Sequence, residues 1–253
     1  TPVLPVPTRR LAAAALLAAA LYVPLALADL VPGGWRLRTL VSSPAELAEA
    51  VRQEHRAERL AAFEADPGPR DGVLFIGSST IEYLDLAAAF PGARTVNRGI
   101  GDEDLAGLEE RFDETLRATR CRAVVLYAGS VDFRRHRLAP ALLATRVGAL
   151  LDAAAAAPGA PRVVLLGILP ERRMDPPMAE RLLATNRALE ALAAARDGVS
   201  FASTARAPLV DPRTGRLAEA TSRDAIHLNG RGYRVAVDWI LAADDQVAAL
   251  LRP

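Results

Sequence analysis

A hydroxyl nucleophile, an imidazole and a carboxylate can be drawn from two short stretches near opposite ends of this chain. The first, Val73 to Leu84, reads VLFIGSSTIEYL: an apolar run, Gly77, then Ser78, Ser79 and Thr80 at a turn before a helix near Ile81. Any of the three hydroxyls suits an N-cap, accepting from the free N–H groups of that helix. A nucleophile suits the same place, because a tight turn after a buried strand exposes the side chain beside a helix N-terminus that favours developing negative charge. The second stretch runs Asp224, Ala225, Ile226, His227, Leu228, Asn229, followed by Gly230, Gly232 and Tyr233. A carboxylate three residues before a histidine can fix the imidazole tautomer and stabilise the imidazolium formed when the ring takes a proton. The same spacing also suits a loop or capping aspartate and a packed histidine.

The elements around these stretches decide whether the groups can meet. Val73 to Ile76 is a continuous apolar run of the kind a fully buried parallel strand shows. Further strands are predicted over Thr95 to Asn97, Ala123 to Ala128, Arg162 to Ile168 and Val199 to Ala202, and helices over about 103–117, 138–157, 175–196 and 230–251. Strands alternating with helices predict a parallel sheet covered on both faces. Ligands in such folds sit outside the carboxyl ends of the strands. The residues of interest are therefore Gly77, Ser78 and Ser79 after the first strand, Asn97 to Asp102 at the second, and Gly129, Ser130, Val131 and Asp132 after the third.

The chain has 253 residues, enough for one sizeable domain and an appendage. Its 31 basic and 30 acidic residues nearly cancel, and no dense Lys/Arg block interleaved with aromatics points to nucleic acid. The single cysteine, Cys121, excludes an internal disulfide, and without a Cys/His cluster there is no structural zinc signature. Cys121 precedes the apolar run RAVVLYA and reads as a buried, inert thiol.

At the N-terminus, Arg9 and Arg10 precede the uncharged run Leu11 to Ala28, which ends in Ala26, Leu27 and Ala28. This pattern predicts a hydrophobic helix over residues 1–28 that serves as a cleaved export signal or a retained membrane anchor, with the body of the protein exported to a periplasmic or extracellular face. Pro32, Gly33 and Gly34 mark residues 29–44 as a linker, and 45–253 as the globular domain. An amphipathic helix is predicted from Ala45 to about Ala65, with His55 solvated on its charged face.

The blocks of chemically interesting residues resemble the SGNH or GDSL family of serine esterases and lipases. Phe75 to Ser79 resemble its first block, with Ser79 in the nucleophile position. Val96, Asn97, Arg98, Gly99, Ile100 and Gly101 resemble the second, and Asp224 to His227 the last. The third block should read Gly, any residue, Asn, Asp, and here reads Gly129, Ser130, Val131, Asp132. The resemblance spans about Ala45 to Leu251. It implies a three-layer α/β/α flavodoxin-like sandwich with a five-stranded parallel sheet in the order 2-1-3-4-5, and a serine esterase working through an acyl-enzyme without metal or organic cofactor. Ser79 would be the nucleophile, His227 its base and Asp224 the orienting carboxylate. The backbone N–H groups of Ser79 and Gly101 would hold the oxyanion, with Asp102 taking the place of Gly101 if the register shifts by one. Asp102, Ser130 and Val131 would contact the substrate, a small-molecule, glycan or lipid ester.

Val131 departs from the family pattern, since valine has no donor for the oxyanion where the family has asparagine. Loss of one such donor costs about 10²- to 10³-fold in turnover. Either the Ser130 hydroxyl turns inward, or the substrate needs less stabilisation, or the domain is a catalytically silent envelope binding module. A further reading keeps the chemistry and makes the substrate an O-acetylated cell-envelope glycan, with hydrolysis or transfer of its acetyl group. His136 either lines the cleft or belongs to a solvated basic loop, Asp132 supports its loop, Leu169 to Pro177 borders the pocket, and Asn186 holds a loop or faces solvent.

Overall fold

The computed structural model describes residues 18, 20–23, 25 and 42–252. The expected N-terminal hydrophobic helix and the linker therefore lie almost wholly outside the described residues, and among those described no helix is long and apolar enough to cross a membrane. The chain divides into two compact units, residues 1–54 and 55–253. In the first, Ser43 opens helix α1 (Pro44–Ala65) with a capping box: its Oγ accepts from the Glu46 N–H at 3.3 Å, and the Glu46 carboxylate accepts from the Ser43 N–H at 2.6 Å.

The second unit holds a five-stranded parallel sheet, β1 (Val73–Gly77), β2 (Thr95–Gly99), β3 (Ala123–Tyr127), β4 (Arg162–Leu166) and β5 (Val199–Ala202), in the order β2-β1-β3-β4-β5. The period-two side-chain alternation of each strand divides its apolar residues between two cores. Leu74, Ile76, Val124, Leu126, Val163 and Leu165 face one side, under helices α4 (Leu105–Thr119), α5 (Pro140–Ala156) and α6 (Pro176–Ala194). Val73, Phe75, Val125, Tyr127, Val164 and Leu166 face the other, under the short helices α2 (Ser79–Glu82) and α3 (Leu86–Ala89) and the C-terminal helices α7 (Gly230–Ala243) and α8 (Asp245–Leu251). Burial on both faces explains why β1, β3 and β4 from Val163 onward read as continuous apolar runs, whereas the edge strands β2 and β5 do not. Cys121 is buried, and burial pushes its thiol up.

The single helix expected over 230–251 is two helices. Asp244 breaks it, with extended backbone at φ −152° and ψ 115°, and its side chain caps α8 by accepting from Gln246 and Val247 N–H, each at 3.0 Å. The same carboxylate pairs with Arg162 and accepts from the Ser200 hydroxyl at 2.9 Å, so one residue ties the C-terminal helices to β4 and β5. Although burial works against its charge, the Arg162 guanidinium, the Val247 N–H and Ser200 hold the Asp244 carboxyl below the ordinary value of 3.8. A depressed folded-state pKa contributes stability above the unfolded value and loses it as pH falls through the folded one. Asp244→Ala is expected to lower unfolding free energy at neutral pH by about 2–3 kcal/mol. In urea titrations the gap to wild type should narrow below about pH 4.

Candidate active site

The turn after β1 is built by glycine. Gly77 has φ +146°, and a Cβ there would run into the carbonyl oxygen of Tyr127 on the neighbouring strand, so β1 and β3 approach as closely as their backbones allow. Gly77→Ala is expected to cost more than about 2 kcal/mol of stability, read as a fall in thermal midpoint. Ser78 occupies the cap position of α2, but its side chain makes no capping bond; its Oγ lies 3.0 Å from that of Ser130. Ser79 is the first residue of α2, so its N–H has no acceptor within the helix. Its Oγ lies 3.1 Å from His227 Nε2.

His227 is held by its own loop. The Arg223 N–H donates to the His227 carbonyl at 2.9 Å, closing the turn around Asp224. Asp224 Oδ1 accepts from the N–H groups of Ile226 at 2.9 Å and His227 at 2.8 Å, an Asx turn of the kind aspartate forms readily. Both carboxylate oxygens also face His227 Nδ1, at 3.1 and 2.8 Å. Although burial works against its charge, the Ile226 N–H, the His227 ring and the His227 N–H hold the Asp224 carboxyl well below the usual carboxylate range. Asn229 caps α7, accepting from Arg231 and Gly232 N–H at 3.0 Å, and the Tyr233 hydroxyl donates to the Thr80 carbonyl at 3.0 Å. The two chemically suggestive stretches are thereby joined directly. A serine hydroxyl, an imidazole and a carboxylate bonded in this order can activate the hydroxyl for attack on an acyl carbonyl and later return its proton to a leaving group.

The loop after β2 departs from expectation. The Gly101 N–H, expected to hold an oxyanion, donates to the Glu82 carboxylate, and the left-handed residue is Asp102, with φ 62°. Asp102, expected at the substrate, instead directs its carboxylate to Arg134 at 3.3 Å and to Arg135. Glu82 is itself met by His55 Nε2 at 3.1 Å, so His55 belongs to this network rather than to a solvated helix face. Arg59 donates to the Gly99 carbonyl at 3.1 and 2.9 Å. Asn97 donates to the carbonyls of Ile81 at 2.7 Å and Leu84 at 3.2 Å and accepts from the Gly99 N–H at 2.8 Å, fastening the loop to the end of α2. Glu82, His55 and Arg59 were not marked by the sequence as site residues. The only hint is that Glu82 follows Ser79 by three positions on one helix, and its partners come from distant elements.

In the loop after β3, Gly129 has φ +85° and Val131 is 2 % exposed, its side chain packed into the protein with no polar atom to offer. Ser130 joins Ser79, Tyr127, Phe133, Leu169 and His227 around a hollow of about 20 Å³, room for roughly one water-sized group. Pro170 and Glu171 from the loop after β4 complete its wall, whereas Asp102 and Val131 do not line it. Burial raises the Glu171 carboxyl above its usual value, opposed by Arg134. Asn186 holds the same loop, accepting from the Ile168 N–H at 2.8 Å and donating to the Ile168 carbonyl at 2.9 Å.

Asp104, Asp132 and His136 bring ligand atoms within 4.8 Å of one another. Each is already engaged: Asp132 accepts from the Leu105 N–H at 2.8 Å, Asp104 from the Gly107 N–H at 3.0 Å, and His136 lies 3.1 Å from Asp104. The two carboxylates neutralise the start of α4, where the helix dipole opposes a cation, and His136 meets one of them. His136 thus supports this loop and is not among the residues around the hollow.

Residues 77–235 match the GDSL-like Lipase/Acylhydrolase family. No curated protein matches the chain. Among solved structures, a Streptococcus pneumonia protein named for platelet activating factor superposes with a TM-score of 0.66 at 23 % identity, over 80 % of this chain and 97 % of its own. A GDSL-like lipase of Bacteroides thetaiotaomicron gives 0.60 at 21 % identity, over 79 % and 98 %. A mutant of the acetylxylan esterase Axe2 of Geobacillus stearothermophilus gives 0.55 at 14 % identity, over 69 % and 94 %.

Proposed function

This chain belongs to the GDSL-like lipase/acylhydrolase family and is a serine hydrolase acting on ester bonds; from that premise we propose that Ser79, His227 and Asp224 carry the reaction and that the acyl group they remove is short. The unbroken series of contacts from Ser79 Oγ through His227 to Asp224, 3.1 and then 2.8 Å, carries this reading. His227 Nε2 takes the Ser79 proton as Oγ attacks the ester carbonyl, and His227, now an imidazolium stabilised by Asp224, gives that proton to the departing alcohol. Water activated by the same Nε2 then releases the acid from Ser79.

The developing oxyanion needs donors. The Ser79 N–H at the start of α2 is one. With no donor on the Val131 side chain and the Gly101 N–H engaged by Glu82, the second is the Ser130 hydroxyl, which borders the same hollow as Ser79 and can turn its proton to the oxyanion while accepting from Ser78. Ser130→Ala is therefore expected to lower kcat by about 10- to 100-fold with little change in KM. An equal loss in a Ser78→Ala variant, with Ser130→Ala silent, would remove Ser130 from this role.

The hollow favours an acetyl group. Forcing extra methylenes into a packed site costs about 1–3 kcal/mol, so kcat/KM on p-nitrophenyl esters is expected to fall about tenfold from acetate to butanoate. Together with the acetylxylan esterase among the structural neighbours, this supports removal of O-acetyl groups from a glycan over hydrolysis of long-chain lipids. A catalytically silent binding domain would instead give no turnover dependent on Ser79. We also propose that the protein is exported, a reading supported by Arg9, Arg10 and the uncharged run Leu11 to Ala28. Cell fractionation with intact-mass measurement distinguishes a cleaved signal from a retained anchor.

A further inference from the structure

We infer that the groove beside Tyr83, between α3 and α7, receives the alcohol half of the ester, and that this alcohol is a polyhydroxylated one such as a sugar. The inference rests on the hydrolase and O-acetyl glycan reading above and adds to it the place where the leaving group sits and the residues that would meet its hydroxyls. The proton that His227 returns must reach the ester's alkoxy oxygen, so the alcohol has to depart within hydrogen-bond reach of Nε2. The hollow on the Ser130 side holds about 20 Å³ and has no room for it. Of the His227 ring, Nδ1 is taken by Asp224 and Nε2 faces Ser79; the ring itself meets Tyr83, centroids 5.2 Å apart at 70°.

Tyr83 is 44 % exposed, an aromatic ring left in solvent beside the proposed base. It forms the near wall of a groove of about 710 Å³, within the size range of small-molecule sites. Leu84, Ala88, Ala89 and Val237 give the groove an apolar floor, and Arg223, Arg234, Asp85 and Asp238 line it with both signs of charge. Neither Arg234 nor Asp238 has an ion-pair partner among the described residues. An alkyl chain would cover these charged groups without satisfying them. Hydroxyl groups donate to carboxylates and accept from guanidinium groups, while the C–H faces of a sugar ring rest on the apolar floor. Arg223 connects the groove to the reacting groups, its guanidinium 4.8 Å over the Tyr83 ring and its Nε 3.6 Å from Asp224 Oδ2.

The test compares acetate release by the full chain from acetylated xylo-oligosaccharides and from ethyl acetate, whose alcohol is too short to extend along the groove. Ala88→Trp fills the groove, and Asp238→Ala removes an exposed acceptor and is not expected to disturb folding; thermal midpoints check both. The ratio of kcat/KM on the sugar ester to that on ethyl acetate is expected to fall about tenfold or more in Ala88→Trp, through KM, and about threefold in Asp238→Ala. An unchanged ratio in both folded variants would overturn the inference while leaving the hydrolase reading intact. So would a wild-type preference for hexadecyl acetate that Ala88→Trp abolishes without affecting the sugar ester, since the groove would then take an alkyl chain. If neither ester releases acetate in a manner dependent on Ser79, the hydrolase reading falls and the inference falls with it.

Discussion

Ser79→Ala is expected to reduce ester hydrolysis by about 10⁴-fold or more in kcat, with KM nearly unchanged. The reason is local. Among the described residues, Ser79 supplies the only hydroxyl brought to His227 Nε2, at 3.1 Å, and its side chain makes no other hydrogen bond there, so the substitution is expected to leave the fold intact. Ser78, one residue earlier, directs its Oγ to Ser130 and cannot substitute without unwinding the start of α2. Initial rates on p-nitrophenyl acetate for Ser79→Ala and Ser78→Ala, with circular dichroism confirming both folds, check this. Comparable losses in the two variants would mean that the hydroxyl has been assigned to the wrong residue.

Asp224→Asn is expected to cost about 10⁴-fold in kcat, as loss of the orienting carboxylate does in serine triads generally. Asp224 serves two purposes here. Its Oδ1 accepts from two backbone N–H groups and both oxygens face His227 Nδ1, so it shapes the loop and holds the imidazole at once. An amide retains an oxygen for the backbone bonds, but it turns an NH₂ toward Nδ1 and favours the tautomer with its proton on Nε2, where the Ser79 proton has to go. Because the Ile226 and His227 contacts prevail over burial and hold the Asp224 carboxyl well below the usual range, it is ionised at neutral pH. The loss therefore comes from the tautomer, and no choice of pH restores Asp224→Asn. A variant that regained activity at high pH would show that the carboxylate acts through charge alone and not through the tautomer.

The sheet was the most legible part of the sequence. Strands buried on both faces need apolar side chains at every position, and Val73 to Ile76, Ala123 to Tyr127 and Val163 to Leu166 satisfy that need so fully that the predicted ends of these strands lie within a residue or two of the observed ones. The break at Asp244 was not legible, because the apolar periodicity continues through it on both sides. What ends α7 is a carboxylate serving as cap, ion-pair partner and hydrogen-bond acceptor at once, and two of those partners, Arg162 and Ser200, lie far away in the chain.

At the site, local signals carried further than paired ones. Asp224 and His227 sit on one turn, so their spacing held the information about their contact. The loop after β2 did not disclose its own wiring. The resemblance makes Gly101 a donor by its place in the second block, but its N–H is taken by Glu82, and Glu82 is steadied by His55 from a helix that nothing in the local sequence connects to the loop. Asp102 looked like a substrate contact for its position after the strand, yet Arg134 and Arg135 supply the nearer opposite charges. Ser130 was one of three possibilities raised by Val131, and only its place on the wall of the hollow beside Ser79 separates it from the others.

The reaction's covalent intermediate offers the most direct measurement. The full-length protein is incubated with p-nitrophenyl acetate, quenched in acid, digested and mapped by mass spectrometry, beside His227→Gln under the same conditions. Acetyl should be found on Ser79, with Ser78, Thr80 and Ser130 unmodified, and the label should be absent from the His227→Gln protein. Acetyl on another residue, or equal labelling of the two proteins, would contradict an acyl-enzyme formed on Ser79 with His227 as its base.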